Sequence, residues 1–341
     1  MTLEERIHQA EADLFHAVGA KVDESFLHLA STSLRVRLLA AGSGPPLVLL
    51  HGVSLSAAAW APLFTALPDR RLLAIDLPGH GLSDPASYRR GHVRQSAHQL
   101  IEDIFDALEL DEAPVVGHSL GGMFALWYAA TGAERISRLV TIGEPAVALQ
   151  GVRVRTPLSL LTVPGLGVAI LRSPSPRPVY RRLLAQGLGP AEVAAAPDSL
   201  IDALRLSARR PGNARTVNSL MHAIDHFRRP RPESILTTQQ LAAISIPTMF
   251  IWGTNAPYLS ANRARPSIDQ IPAATLHEVP GGHGPWLVDT KRSAELIQTH
   301  LTSTTAHNDS PAARRSSPEK SRRGVLLSGA SIMKSAPDLG G

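Results

Sequence analysis

The stretch "GHSLGG", Gly117 to Gly122, follows the apolar run "APVV" and opens the helix-length pattern "SLGGMFALWYAATGA". Its context decides its meaning. A G-x-S-x-G sequence between a buried strand and a helix makes a turn so tight that Ser119 must take a strained backbone conformation. The small residues Gly117 and Gly121 let neighbouring backbones approach. Ser119 is then presented at the carboxyl edge of a sheet, over a helix N-terminus that favours developing negative charge. A glycine-rich turn with an incidental serine would need neither the strand before it nor the helix after it.

Working outward, the same strand form recurs. "GPPLVLLHG", "RLLAIDLPG", "RLVTIGEP", "PTMFIWG" and "ATLHEVPGG" are apolar runs bounded by Gly or Pro, the form of strands buried on both faces. "SFLHLA" and "LRVRLLAAG" come before them. Helical patterns such as "GHVRQSAHQLIEDIFDALEL", with apolar residues three and four apart, lie between several of these runs. This alternation predicts an α/β fold with a mostly parallel, doubly wound sheet. It stops between about Ala146 and Leu241, where "PDSLIDALRLSARR" and "ARTVNSLMHAIDHFRR" predict a helical cap inserted between strands six and seven. The expected organisation is an N-terminal helical segment over 1–22, a core made of 23–145 and 242–302, the cap over 146–241, and a disordered tail over 303–341. The tail is rich in Ser, Ala, Pro and Gly and has no periodicity.

A chain of 341 residues fits one large α/β domain with such an insertion. Cysteine is absent, which excludes disulfide frameworks, thiolate zinc sites and cysteine nucleophiles. No histidine and carboxylate spacing resembles HExxH, so neither a metal nor a cofactor is expected. Of the net charge of +5, more than half sits from Ser303 onward, in Arg314, Arg315, Lys320, Arg322, Arg323 and Lys334 against Asp309, Glu319 and Asp338. A basic tail without interleaved aromatics predicts a solvated segment rather than a nucleic-acid partner. The apolar stretch from Pro157 to Leu171 is shorter than the roughly 20 residues that span a bilayer and contains Pro164, so it is expected to be buried or to line a pocket. The start, "MTLEERIHQAEADLF", has no basic region followed by an apolar core, which makes a cytoplasmic location the default.

"HGVSLSAAAW", "DLPGHGLSD", "GHSLGG" and "GGHGPW", in that order, resemble the motifs of α/β-hydrolase fold proteins over roughly Leu34 to Leu301. The resemblance implies that Ser119 is a nucleophile. It implies that His283, in the loop after the last strand, is the general base a serine hydroxyl requires. It also assigns the backbone N–H groups of Val53 and Leu120 to an oxyanion hole, where one such donor is worth about 3–4 kcal/mol to the transition state. His51, His80 and His118 match positions that support loops and the turn at Ser119, without a catalytic role.

The third member of the set is displaced. The family often carries its acid in a "WGxxD" pattern, and here "WGTNA" puts Ala256 at that position. If the strands follow the family's order, the end of "RLVTIG" lies beside the strand that carries Ser119, and the next residue is Glu144. Members resembling haloalkane dehalogenases take their acid from that earlier strand end, and Pro145 biases Glu144 towards the extended backbone of a strand terminus. Two other readings stay open. Asn255 could orient the imidazole as an amide, or the site is degraded or uses another acid such as Asp84, a residue otherwise suited to stabilising its turn.

Serine rather than aspartate at the turn points away from dehalogenase and epoxide hydrolase chemistry and towards acyl transfer. The expected reaction is hydrolysis of an ester, thioester or lactone of a small, largely apolar substrate through an acyl-enzyme. Leu161, Val163, Leu166 and Ile170 of the cap are expected either to line an apolar pocket or to pack the cap on the sheet. Arg172, Arg177, Arg181 and Arg182 would meet an acidic substrate or form a solvated helix face. The alternatives are a carbon–carbon bond hydrolase, a cofactor-free oxygenase or perhydrolase, and a small-molecule-binding homologue that barely turns over.

Overall fold

In the computed structural model, which describes residues 1–154 and 158–303, the eight apolar runs form one sheet. Its strands are β1 (Val22–His28), β2 (Arg35–Ala41), β3 (Pro46–Leu50), β4 (Arg71–Ile75), β5 (Ala113–His118), β6 (Ile136–Ile142), β7 (Thr248–Gly253) and β8 (Ala274–Val279). Across the sheet they are ordered β1-β2-β4-β3-β5-β6-β7-β8. β1 pairs antiparallel with β2, and β2 with β4. All other neighbours run parallel.

The strand residues alternate between two cores. Val48 and Leu50 of β3 face one side with Leu73, Ile75 and Val115; Leu47 and Leu49 face the other with Leu72, Ala74 and Val116. A parallel sheet covered on both faces writes continuous apolar runs, which is why these strands read so clearly in the sequence. β1, "VDESFLH", is mostly exposed and carries Asp23 and Glu24, charges that blunt a sheet edge. Helix α1 (Leu3–Val18) lies within the 1–22 segment. It starts at a capping box between Thr2 and Glu5 and stops at Gly19, φ 71°.

One buried ion network braces the antiparallel side. Arg37, fully buried on β2, donates from Nε to Asp76 Oδ2 at 2.7 Å and from Nη2 to Glu11 Oε1 at 2.7 Å. Asp76 also accepts from the backbone N–H groups of Ala57 (2.6 Å) and Leu82 (2.9 Å), so one carboxylate ties two loops to the sheet. Burial pushes its carboxyl up, but Arg37, His51 and these N–H groups outweigh that and hold it below the ordinary range.

Between β6 and β7 the regular elements of the described chain are helices, apart from a two-residue pairing of Asp225–His226 with Arg229–Pro230. The sequence shows no strand there because this hairpin is made by positive φ at Phe227 and Arg228 rather than by an apolar run. Five helices form the frame of the cap: Leu166–Arg172, Arg177–Gly187, Pro190–Ala195, Asp198–Ser207 and Asn213–Ile224. The last is fastened to the core. Thr216 Oγ1 accepts from Ala86 N and donates to its carbonyl, and Ser219 Oγ accepts from Tyr88 N. Helix Arg177–Gly187 has no fully buried residue; Tyr180, Leu184 and Ala185 pack it against the core, and Arg177 and Arg181 form ion pairs with Asp198 and Asp202 at its surface. The expected tail from 303 lies outside the described residues beyond Ser303.

Candidate active site

β5 ends at His118 and the next helix, α2 (Leu120–Ala129), begins one residue later, so Ser119 alone makes the turn, with φ 49° and ψ −106°. A non-glycine residue held there costs about 1–3 kcal/mol, the order of one buried leucine side chain. The surrounding core outweighs it: every residue of α2 is buried. The two glycines are sterically required. A Cβ on Gly121 would stand 2.1 Å from the Leu50 carbonyl oxygen, and one on Gly117 would stand 2.6 Å from the Gly122 backbone.

His283 follows β8 on the glycine-rich loop, and its Nδ1 lies 2.5 Å from Glu144 Oε2. Glu144 is fully buried after β6. Its other oxygen, Oε1, accepts from the N–H groups of Tyr258 (2.9 Å) and Leu259 (3.4 Å). Burial raises the carboxyl's pKa, but the imidazole and these donors prevail and hold Glu144 below its ordinary value. A carboxylate at this position needs the proton on Nδ1, which leaves Nε2 as the acceptor. The Tyr258 ring packs edge-on against the imidazole at 4.9 Å.

The backbone of His283 is held at both ends. Its N–H donates to the Leu188 carbonyl of the cap at 2.7 Å, and its carbonyl accepts from His118 Nε2 at 3.0 Å. That bond puts the His118 proton on Nε2, and burial pushes its pKa well down, so His118 is a neutral support. His51 is committed in the same way: Nε2 accepts from Leu77 N and Nδ1 donates to the Gly52 carbonyl. His80, pushed down to about 3 by burial, donates to the Pro78 carbonyl.

The other acid candidates sit elsewhere. Asn255 is exposed, outside the cavity lining, and its N–H donates to the Gly281 carbonyl. Asp84 accepts from Arg35 N at 2.9 Å and stabilises its turn.

Ser119, His283, Val53 and Leu120 all line one cavity of about 220 Å³. Neither the Val53 nor the Leu120 N–H finds an acceptor among the described residues. The cavity wall is largely aliphatic, with Val154, Leu161, Ile170, Leu184 and Met221. Leu161 and Ile170 therefore line it, whereas Val163 and Leu166 do not, and Leu166 is exposed. None of Arg172, Arg177, Arg181 and Arg182 lines the cavity; Arg205 and Arg209, on the next cap turns, do.

Sequence reasoning missed Glu192, which is buried in the cap and donated to by Gly282 N beside His283. The available signal was a single acid in the otherwise apolar "LGPAEVAAA". It also missed Tyr258, which contacts both Glu144 and His283. Among the described residues no group of three or more His, Asp or Glu side chains is placed to hold a metal ion, and no helix is long and apolar enough to cross a membrane.

Comparison with known proteins matches a family model described as alpha/beta hydrolase fold to residues 45–290. An uncharacterized protein of Mycobacterium tuberculosis is 26% identical over 290 residues, 81% of this chain and 80% of that one. The 2-hydroxy-6-oxo-2,4-heptadienoate hydrolase of Pseudomonas putida is 37% identical over 114 residues, 32% of this chain and 41% of that one. Among solved structures, carboxylesterase CesB of Bacillus subtilis superposes with a TM-score of 0.71 at 19% identity, covering 89% of this chain and 99% of its own.

Proposed function

The chain belongs to the alpha/beta hydrolase fold family, and on that premise we propose that it is a serine hydrolase that cleaves an ester, thioester or lactone of a small, largely apolar substrate. The observation that carries this reading is the pairing of His283 Nδ1 with the Glu144 carboxylate buried behind it, while His283 and Ser119 line the same cavity. An imidazole with Nδ1 so partnered offers Nε2 to take the serine proton.

In the proposed cycle Ser119 Oγ attacks the carbonyl carbon while its proton passes to His283. The carbonyl oxygen becomes an oxyanion held by the N–H groups of Val53 and Leu120, where loss of one such donor costs about 100- to 1000-fold in turnover. Glu144 stabilises the imidazolium. His283 then protonates the leaving alcohol or thiol, and the acyl group stays on Ser119. A water molecule, losing its proton to His283, attacks the acyl carbonyl; the bond to Ser119 Oγ then breaks, His283 passes the proton to Oγ, and the carboxylic acid leaves. The aliphatic wall supports an apolar acyl group.

A second reading, carbon–carbon bond hydrolysis, is favoured by the stretch shared with the Pseudomonas putida hydrolase and by Arg209 at the cavity, which suits an acidic substrate; Arg205, also at the cavity, is paired with Asp202. The test is a panel of activated esters of increasing acyl length beside a dienoic ketoacid, each run against Ser119→Ala. Ester turnover that disappears in Ser119→Ala supports the proposal. Turnover of the ketoacid alone moves the chain to the second reading, and no turnover of either above the control makes it a binding homologue.

A further inference from the structure

Glu192 is a buried carboxylate with an incomplete set of partners. On helix Pro190–Ala195 it is 1% exposed, its Oε1 accepts from Gly282 N, and its Oε2 has no hydrogen-bond partner among the described residues. Burying a carboxylate in this way is costly, and what it touches is the loop of His283. A Cβ on Gly281 would stand 2.7 Å from Oε1, and one on Gly282 would stand 3.2 Å from Oε2. The glycines of "GGHG" therefore make a recess that the cap's carboxylate fills. Neighbouring cap positions reach the same place: the Leu188 carbonyl accepts from His283 N at 2.7 Å, and the Gly187 carbonyl accepts from Tyr258 Oη at 2.9 Å. Tyr258 in turn donates its N–H to Glu144.

We propose that Glu192 is a positioning residue for the general base: seated in the Gly281–Gly282 recess, it holds the backbone that carries His283, so that base and cap come into register together. This inference rests on the reading of His283 as the base. It differs from simple anchoring of the cap in what its loss does. An anchor sets stability and substrate affinity, whereas a positioning residue sets turnover and the geometry of the His283–Glu144 bond. A misplacement of about 1 Å at a reacting group can cost about 100-fold.

The test uses the full chain with Glu192→Ala, Glu192→Asp and Glu192→Gln, each checked for a native thermal transition. Glu192→Gln keeps an acceptor for Gly282 N and should hold kcat within about threefold, as expected where a neutral acceptor replaces a charged one. Glu192→Ala and Glu192→Asp, which remove or withdraw that acceptor, should lower kcat by about 10- to 100-fold with little change in KM. If Glu192→Ala does not fold, Glu192→Asp decides. The proton resonance of His283 Nδ1–H supplies a readout that needs no turnover: it should shift or broaden in Glu192→Asp and be retained in Glu192→Gln. Folded Glu192→Asp with wild-type kcat, a loss confined to KM, or an unchanged imidazole resonance would each overturn the proposal. A wild-type chain without Ser119-dependent turnover contradicts the hydrolase reading instead, and the resonance still decides the role of Glu192.

Discussion

Glu144 Oε2 stands 2.5 Å from His283 Nδ1, although 139 residues, including the whole cap, separate the two in sequence. The contact exists because β5 and β6 are neighbours: Glu144 leaves the sheet one strand away from Ser119, on the side where the His283 loop descends. The "WGTNA" loop, which has Ala256 at the usual acid position, instead supplies backbone. Tyr258 N and Leu259 N donate to the Glu144 carboxylate.

If Glu144 is the acid, Glu144→Gln should reduce kcat by about ten-thousand-fold, the cost of the equivalent amide in a serine protease. Asn255→Ala should leave kcat near wild type, since Asn255 is exposed and outside the cavity lining. Steady-state kinetics of the two folded variants on one ester decide between them, and the reverse order would make Asn255 the orienting group.

Gly52→Ala tests how tightly the turn at Ser119 is packed. The new Cβ would stand 2.5 Å from His118 Nδ1 and 3.0 Å from the Ser119 Cβ. Displacing either should move Ser119 and the neighbouring Val53 N–H together and lower kcat by about 100-fold, with a smaller change in KM. Wild-type kcat in a folded variant would mean that this side of the site is loosely held.

Asp76→Asn probes stability rather than chemistry. Leaving buried Arg37 without its Nε partner should cost about 3–5 kcal/mol at neutral pH, measured by urea unfolding. The pH dependence has a definite sign. The folded-state pKa of Asp76 lies below its unfolded value of about 3.9, so its stabilisation is complete above that value and is lost as pH falls through the lower folded one. Glu144 adds to the same acid-side loss. The wild type should therefore lose stability below about pH 4, and Asp76→Asn should lose less over that interval.

Leu161→Trp should shorten the acyl groups accepted. Leu161 is buried and lines the cavity, so a larger ring takes up space otherwise open to substrate. The expected result is a fall in kcat/KM of roughly 10-fold or more for each methylene no longer accommodated, with short esters little affected. A uniform loss across chain lengths would place the acyl group elsewhere.

The strands were legible because burial on both faces leaves continuous apolar runs, and Ser119 and His283 because motif, strand and loop agree at each. Glu144 could be reached only through strand order. The cap resisted in a different way. Its helices are evident from periodicity, but which face meets the cavity depends on how they dock on the core, so Arg205 and Arg209 rather than Arg172 to Arg182 line it. Glu192 and the Arg37–Asp76–Glu11 network are contacts between distant segments, 90 residues apart for Glu192 and Gly282, and leave no local pattern. Tyr258 was visible as a residue but not as a hub, because its N–H, ring and hydroxyl meet Glu144, His283 and Gly187, all distant in sequence.

The most direct test of the central claim is mass analysis of the enzyme quenched in acid during turnover of a slowly deacylating ester, with peptide mapping. One acyl group per chain is expected on the peptide containing Ser119, absent in Ser119→Ala together with the turnover. Turnover that persists in Ser119→Ala, or an acyl group found on another residue, would contradict it.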